Sequence, residues 1–372
     1  MGFGGGESRQ SAADVETVLA EFDSRAGLLK SICDKTKELI EEFLQDADIR
    51  VQSVQARVKK RKKLREKYLD PAKSYTRLDD IHDQAGLRVV TYYEDEVDRV
   101  AEIIEREFDI DRENTVDKRK IELDRFGYSA INYVCRHLGT RTALGEYRKF
   151  SNVRFEVQVT SILSHAWSEM NHGSYDLGEA SPPLIRRRFF QLKALLELAE
   201  SQFLELRNKT KEYERSVAVQ VEAKVPDLPL DGVSLKSLVE SDPTVGQIDV
   251  AIAALLGVPL DGEAEVSVNV KIAALELAGL TTLPAVRASL GKYASGIPEF
   301  VGRCREYWGS PPDELVRGVS TFQLAMLLLH NRDREKVIEA LKSLDLYPED
   351  DPHLDAQISI AREIVNKYKD SA

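Results

Sequence analysis

The sequence is poor in cysteine and has no long apolar run. Its 372 residues include three cysteines, Cys33, Cys135 and Cys304, and none of them belongs to a CxxC pair. This scarcity gives no basis for a disulfide framework or for a cysteine-based zinc site. Neither a stretch of about 18 apolar residues nor a signal peptide is found. We therefore predict a soluble, cytoplasmic protein with no membrane partner.

Positive charge is also scarce relative to negative charge. The chain has 52 lysines and arginines against 63 acidic residues, which gives a formal net charge of -11. A general nucleic-acid coat protein usually needs a basic surface, because it must displace counterions from phosphates. Any site for a polyanion must therefore be a local basic patch.

The length of the chain favours two domains. Apolar spacing predicts a helix over residues 13–45, and β-branched and aromatic residues predict strands in AGLRVVTYY, SAINYVCRHL and NVRFEVQVTS. From Pro182 onward, apolar spacings of three and four predict one long amphipathic helix, which KVPDLPLDG interrupts. The predicted organisation is a flexible start (1–12), a first domain (13–223), a linker (224–232) and an all-helical C-terminal domain (233–372) with a regulatory or partner-binding role.

The strongest basic patch is RVKKRKKLREK, residues 57–67, which contains eight basic residues and one acid. One interpretation is a solvated helix face. The other is a triphosphate clamp, with Arg57 and Lys59 on one side of the run and Lys63 and Lys67 following at helical intervals.

A candidate metal ligand follows in DIHDQAGLRVV. Asp83 stands directly before a predicted strand, and Arg88 lies within that strand. Carboxylate oxygens suit Mg²⁺, which keeps water ligands for a substrate. An aspartate in a loop also commonly caps a turn or a helix, and this alternative stays open.

The segment NVRFEVQVTS shows strict alternation of polar and apolar residues. Period two places Glu156 and Gln158 on the face opposite the apolar side chains. If this polar face is in solvent, Glu156 is an ordinary exposed residue. If it lines a cleft with Asp83, the two carboxylates form a metal site.

Two further segments contain candidate binding residues. In RFGYSAINYV, Tyr128 follows a glycine and is either a stacking platform for a base or a core aromatic residue. Lys118 and Lys120, just upstream, could reach the phosphates of that nucleotide, or could be ordinary exposed lysines.

The helical segment HAWSEMNHGSYD places three polar side chains near one face: His165, Glu169 and His172. The spacing departs from the HExxH zinc motif, in which the glutamate adjoins the first histidine. We therefore predict a supporting, hydrogen-bonded scaffold behind the active strand.

In their order and spacing these segments resemble the synthetase domain of RelA/SpoT homologues, the enzymes that make the alarmone (p)ppGpp. The likeness covers roughly residues 40–210. RVKKRKKLREK is similar to the family's R-x-K-x(4)-I-x-x-K run, with Leu64 in place of Ile, and DQAGLR to its D-x-x-G-x-R motif. FGYSAIN resembles G-Y-x-S-x-H, and FEVQVTS resembles E-x-Q-x-R-T. The implied fold class is α/β (α+β), a nucleotidyltransferase-like mixed sheet flanked by helices.

The resemblance also implies roles for individual residues. Asp83 and Glu156 correspond to the catalytic, Mg²⁺-binding acids, and Glu156 would help to activate the attacking hydroxyl. The residues implied to bind ATP are Arg57, Lys59, Lys67 and Arg88, and the helical spacing of the basic run adds Lys63. The residues implied to bind the acceptor are Tyr128, Lys118, Lys120, Asn132 and Gln158.

Three departures from the family motifs fall in the segments assigned to the acceptor. Ala130 replaces the usual serine, Asn132 the histidine, and Thr160-Ser161 the Arg-Thr pair. The leading hypothesis is transfer of pyrophosphate from ATP to GDP or GTP. A toxin-like relative that makes adenosine alarmones or modifies the 3′ end of tRNA is an alternative, and an inactive nucleotide-sensing module is another. The presence of both acids favours an enzyme.

Overall fold

A computed structural model describes residues 12–71, 73, 75–120, 130–173, 182–260, 267–307, 312–346 and 351–369. Contacts between Cα atoms divide the chain into two compact units, residues 1–207 and 208–372. The division falls within one long helix, and the predicted linker 224–232 belongs to the second unit. The predicted domain limits and the role of the C-terminal domain stay predictions.

The first unit contains a six-stranded mixed sheet with flanking helices. Its strands are β1 (Val51–Val58), β2 (Ala85–Thr91), β3 (Phe108–Ile110), β4 (Val116–Asp117), β5 (Ile131–His137) and β6 (Phe155–Ser161). Its helices are α1 (Ala12–Asp46), α2 (Arg61–Tyr68), α3 (Glu94–Glu107), α4 (Gly139–Thr142), α5 (Ile162–Gly173) and the start of α6 (Pro183–Glu222).

The strand order is β1-β2-β6-β5-β3, and β4 also pairs with β5. The central strands β2 and β6 are parallel, and the other pairs are antiparallel. One face of the sheet is apolar because period-two alternation points Phe155, Val157 and Val159 to the same side, where all three are fully buried. This face packs with α1 and α3 into one core, so the polar residues of the same strands occupy the opposite face.

The basic run is only partly helical. Arg57 is the penultimate residue of β1, opposite Gly86, and the Lys59 amide donates to the Gln84 carbonyl at 2.8 Å. Helix α2 begins only at Arg61, and it is anchored by Leu64 and Tyr68, both buried. The interpretation of the whole run as one helix face was therefore wrong for Arg57 and Lys59, because pairing with β2 keeps the chain extended there, whereas Lys63 and Lys67 lie in α2 at a helical interval.

Helix α6 confirms the predicted long helix but not the face expected from its apolar residues. Lys193 and Glu200 are buried, whereas Leu192, Phe203 and Leu206 are more than half exposed. The buried side is polar because Ser161 donates to Glu200, and the Lys193 ammonium donates to the Ser164 hydroxyl at 3.3 Å. Phe189 also stacks on Trp167, with ring centroids 3.6 Å apart, so this side of α6 combines hydrogen bonds with an apolar contact.

The second unit is built from helices around its own apolar core. Its helices, after the end of α6, are α7 (Gly232–Ser241), α8 (Pro243–Leu256), α9 (Val268–Leu277), α10 (Leu283–Lys292), α11 (Gly296–Cys304), α12 (Val319–His330), α13 (Arg334–Ser343) and α14 (Leu354–Lys367). Asp249, which is buried, accepts hydrogen bonds from the amides of Gly318 and Ser320 and so caps α12 from a neighbouring helix.

These observations confirm the predicted fold class, a mixed α/β sheet flanked by helices and followed by a helical C-terminal part. In the part of the chain that the structure describes, no helix combines the length and the apolar character needed to cross a membrane.

Candidate active site

The register of the sheet brings polar residues from four strands into two rows. In the first row, Arg57 of β1 lies opposite Gly86 of β2, which lies beside Glu156 of β6. Gly86 has no side chain, so the space between Arg57 and Glu156 is left open. The second row, one pleat along, consists of Gln55, Arg88, Gln158 and Asn132.

The alternation predicted for β6 is observed. Glu156 and Gln158 are partly accessible, whereas their neighbours Phe155, Val157 and Val159 are buried. Glu156 therefore occupies the polar face of the sheet and not the core.

Asp83 forms ion pairs with two lysines that follow or lie beyond β1. Its Oδ2 atom accepts from Lys59 Nζ at 2.6 Å and from Lys67 Nζ at 2.9 Å. Lys59 stands between β1 and α2, and Lys67 lies in the last turn of α2, whose buried residues fix the helix against the core. The connection after β1 and the last turn of α2 thus each place an ammonium group on one carboxylate oxygen.

The two acids of the site have pKa values shifted in opposite directions. Burial alone would raise the pKa of Asp83, but Lys59 and Lys67 more than offset this effect and lower it. Burial raises the pKa of Glu156, and the negative charge of Asp83 raises it further. Because each carboxylate is influenced by the same lysines and Glu156 also by Asp83, the two acids share one electrostatic environment.

Arg88 is fixed at the centre of the second row. Its Nε donates to Gln158 Oε1 at 2.7 Å and its Nη1 donates to Glu169 Oε1 at 2.8 Å. Nη1 also lies 3.3 Å from His165 Nδ1. Burial and the positive charge of Arg88 lower the pKa of His165, which favours a neutral ring that accepts from the guanidinium.

A line of amide contacts connects Arg88 to Glu156. The Gln158 Nε2 group donates to Asn132 Oδ1 at 3.3 Å, and the Asn132 Nδ2 group donates to Glu156 Oε1 at 3.5 Å. Asn132, where the family motif has histidine, therefore contacts the acid. Ala130, Thr160 and Ser161 are buried, and the assignment of these departures to the acceptor side stays a prediction.

The remaining sequence-predicted residues are placed differently. Lys118 follows β4 and lies near enough to Glu156 for its positive charge to offset part of the rise in the pKa of that acid. Lys63 is highly exposed and pairs with Glu66 at 2.9 Å on the surface of α2. Tyr128 and the side chains of Lys120 and His172 lie outside the described residues.

The donor set suits a hard divalent cation. The Oδ1 atom of Asp83 is buried and has no hydrogen-bond partner among the described residues. In that part of the chain, no three histidine, cysteine, aspartate or glutamate side chains gather to hold a metal ion. Magnesium needs fewer protein ligands, because it retains water and binds substrate phosphates. Asp83 and Glu156 therefore fit such an ion.

One cluster beside the site was not predicted from the sequence. Arg154 lies two residues before Glu156, and its guanidinium is 3.4 Å from His82 Nε2 and 3.6 Å from Asp111 Oδ2. Burial and Arg154 lower the pKa of His82. Period-two alternation could have indicated Arg154, but its partners come from distant segments.

Residues 56–178 match the family model described as "Region found in RelA / SpoT proteins". The small alarmone synthetase 1 from Bacillus subtilis is 16% identical to this chain, covers 52% of it and 99% of its own length, and gives a TM-score of 0.43. A GTP pyrophosphokinase family protein from Streptococcus pneumoniae is 19% identical, with 52% and 94% coverage and a TM-score of 0.41. A comparison with curated proteins found no match.

The match covers all four motif segments on which the sequence resemblance was based. It also contains the two carboxylates and the basic residues described above. Residues 56–178 of this chain are therefore a region of the RelA/SpoT type.

Proposed function

We propose that the first unit transfers the β,γ-pyrophosphate of ATP to the 3′-hydroxyl of GDP or GTP. The observation that carries this proposal is the pairing of Asp83 with Lys59 and Lys67 next to the row that holds Arg57 and Glu156. Acids and cations in such an arrangement suit a reaction in which a polyphosphate is both bound and cleaved.

The basic residues suit the donor. Lys59 and Lys67 converge on a single oxygen, and Arg57 and Arg88 stand in adjacent rows of the same face. In a chain with a net charge of -11, this concentration of positive charge is local. It would neutralise the triphosphate and stabilise negative charge on the departing AMP.

Asp83 and Glu156 would hold Mg²⁺. The unpartnered Oδ1 atom of Asp83 is the observation that supports a cation here. When bound, the ion would withdraw negative charge from the phosphate oxygens.

Glu156 suits the role of general base. Its raised pKa makes it a stronger proton acceptor than an ordinary carboxylate. In the proposed step, Glu156 takes the hydroxyl proton while the ribose oxygen forms a bond to the β-phosphorus. The bond between that phosphorus and the oxygen bridging it to the α-phosphorus breaks, and AMP leaves with this oxygen.

Asn132, Gln158 and Lys118 are proposed to face the acceptor. Asn132 and Gln158 form the amide line beside Glu156, and Lys118 is close enough to influence its pKa. The family motif usually has histidine at the position of Asn132. We therefore propose that this residue has the largest influence on which acceptor is used.

An acceptor panel tests the proposal. The protein is incubated with γ-labelled ATP and, separately, GDP, GTP, AMP or deacylated tRNA. We expect label on GDP or GTP. Label on AMP or tRNA alone would favour the toxin-like alternative, and no label on any acceptor would favour the nucleotide-sensing module.

Glu156→Gln tests the role of the acid. We expect at least a hundredfold lower rate, because general-base catalysis typically contributes about 10²–10⁴-fold. Folding should be retained, since the buried neighbours of Glu156 point to the other face. Glu113→Gln, which changes an exposed carboxylate outside the site, is the matched control. An unchanged rate in Glu156→Gln would refute the assignment.

A further inference from the structure

A basic cavity of about 560 Å³ lies at the end of the sheet where β5 finishes and β6 begins. Its lining includes five cationic side chains and one acid: Arg25, Arg77, Arg136, Lys149, Arg154 and Asp79. None of the residues proposed above to bind the donor, the metal or the acceptor lines this cavity. It is therefore a separate space in the first unit.

Much of its positive charge is not neutralised by the described residues. The side chain of Arg136 makes no hydrogen bond or ion pair with them. The Lys149 ammonium donates to the neutral Ser31 hydroxyl at 2.8 Å, and the guanidinium of Arg77 is 3.8 Å from Asp80. Arg25 is closely paired with two acids, and the guanidinium of Arg154 is 3.6 Å from Asp111 Oδ2. A cavity with this charge suits a multiply charged anion.

Gln84 adds a specific hydrogen-bonding requirement. The residue is 7% exposed and lines the cavity, and its Oε1 atom is buried without a partner among the described residues. The Nε2 group donates to the carbonyls of Leu78 and Ile81, both at 2.9 Å, so the orientation of the amide is fixed. A ligand with an N–H or O–H donor would satisfy the oxygen.

The remaining wall is partly apolar. Leu28, Leu29, Ile81 and Val153 contribute aliphatic side chains to it. Binding sites for small molecules commonly combine such a wall with a few polar groups that fix orientation. The cavity thus offers cations for phosphates, an apolar wall for a ring and an acceptor for a donor group.

We propose that this cavity binds a nucleoside polyphosphate as an effector, at a site distinct from the transfer site. The segment Ile81–Gln84 connects the two, because Ile81 and Gln84 line the cavity and Asp83 between them binds Lys59 and Lys67. Arg154 provides a second connection, two residues before Glu156 on β6. Occupancy of the cavity would bias the position of Asp83 and so change turnover.

Binding stoichiometry tests the proposal without turnover. Radiolabelled ATP and GTP are each equilibrated alone with the full chain by dialysis, and the equivalents bound are counted. In Arg136→Gln/Lys149→Gln we expect one equivalent of at least one nucleotide to bind tenfold or more weakly than in the unaltered chain. Arg112→Gln/Lys30→Gln, which removes two exposed cations elsewhere, is the matched control and should not differ.

The outcomes are distinct. Unchanged affinity and stoichiometry in the cavity variant would overturn the proposal, and inorganic tripolyphosphate binding as tightly as the nucleotides would overturn the nucleoside part of it. If the double variant does not fold by circular dichroism, Arg77→Gln is used, because that side chain is 77% exposed. Because only binding is measured, absence of transferase activity would leave this result unaffected.

Discussion

Replacing Asp83 by asparagine should destabilise the first unit. The carboxylate is 22% exposed and binds two ammonium groups whose side chains are 15% and 32% exposed. Hydrogen bonds to charged groups contribute roughly 1.5–3 kcal/mol each, and the loss here is partly offset because a buried carboxylate no longer has to be desolvated. We expect the free energy of unfolding to fall by about 2 kcal/mol at pH 7.

The effect should depend on pH in a defined direction. The folded-state pKa of Asp83 is lowered from its ordinary value of 3.8, so its ionised form stabilises the fold above that value. The difference between the two proteins should be constant from neutral pH down to about pH 5 and should shrink as the pH falls below 3.8.

Urea unfolding followed by tryptophan fluorescence measures this effect. The chain has two tryptophans, so Trp308→Phe in both proteins leaves Trp167, in α5 of the first unit, as the only reporter. Adding Lys59→Met to Asp83→Asn should restore part of the loss, because one uncompensated ammonium is removed. Equal or greater stability of Asp83→Asn at pH 7 would contradict the stabilising role of this carboxylate.

Two further predictions concern other parts of the chain. Gly318→Ala should lower the free energy of unfolding of the second unit by about 2 kcal/mol, because φ is +81° and a Cβ atom would lie 2.8 Å from Val239 Cγ2. Adding Val239→Ala should recover part of this loss. An unchanged midpoint of thermal unfolding in Gly318→Ala would contradict this prediction. Burial raises the pKa of Cys33 to about 11 and of Cys304 to about 12, and also raises that of Cys135. All three thiols should therefore react with Ellman's reagent at pH 8 far more slowly in the folded protein than in urea, and rapid reaction of the folded protein would be the contrary result.

Local patterns in the sequence predicted the central strands and the face of β6. The alternation of Phe155, Glu156, Val157 and Gln158 was sufficient, because a half-buried strand imposes period two on its own residues. Strand β1 was missed, since Val54 is its only buried residue and the basic run continues through its end. An edge strand with so little burial leaves a weak pattern.

The contacts that build the site could not be read from local patterns. Asp83 and Lys59 are separated by 24 residues, and Arg88 and Glu169 by 81. The sequence showed the residue types, but only the strand register brings them together. The buried face of α6 is a similar case, because Lys193 and Glu200 become core residues only when serines of β6 and α5 meet them.

We propose that the acids and cations of the first unit transfer the β- and γ-phosphates of ATP together, as one pyrophosphate group. The most direct measurement uses ATP labelled at both the β- and γ-phosphorus, with GDP or GTP as the acceptor. We expect both labels to appear on the acceptor in equal amounts and AMP to be released. Transfer of the γ label alone with release of ADP, or the absence of any labelled acceptor, would contradict it.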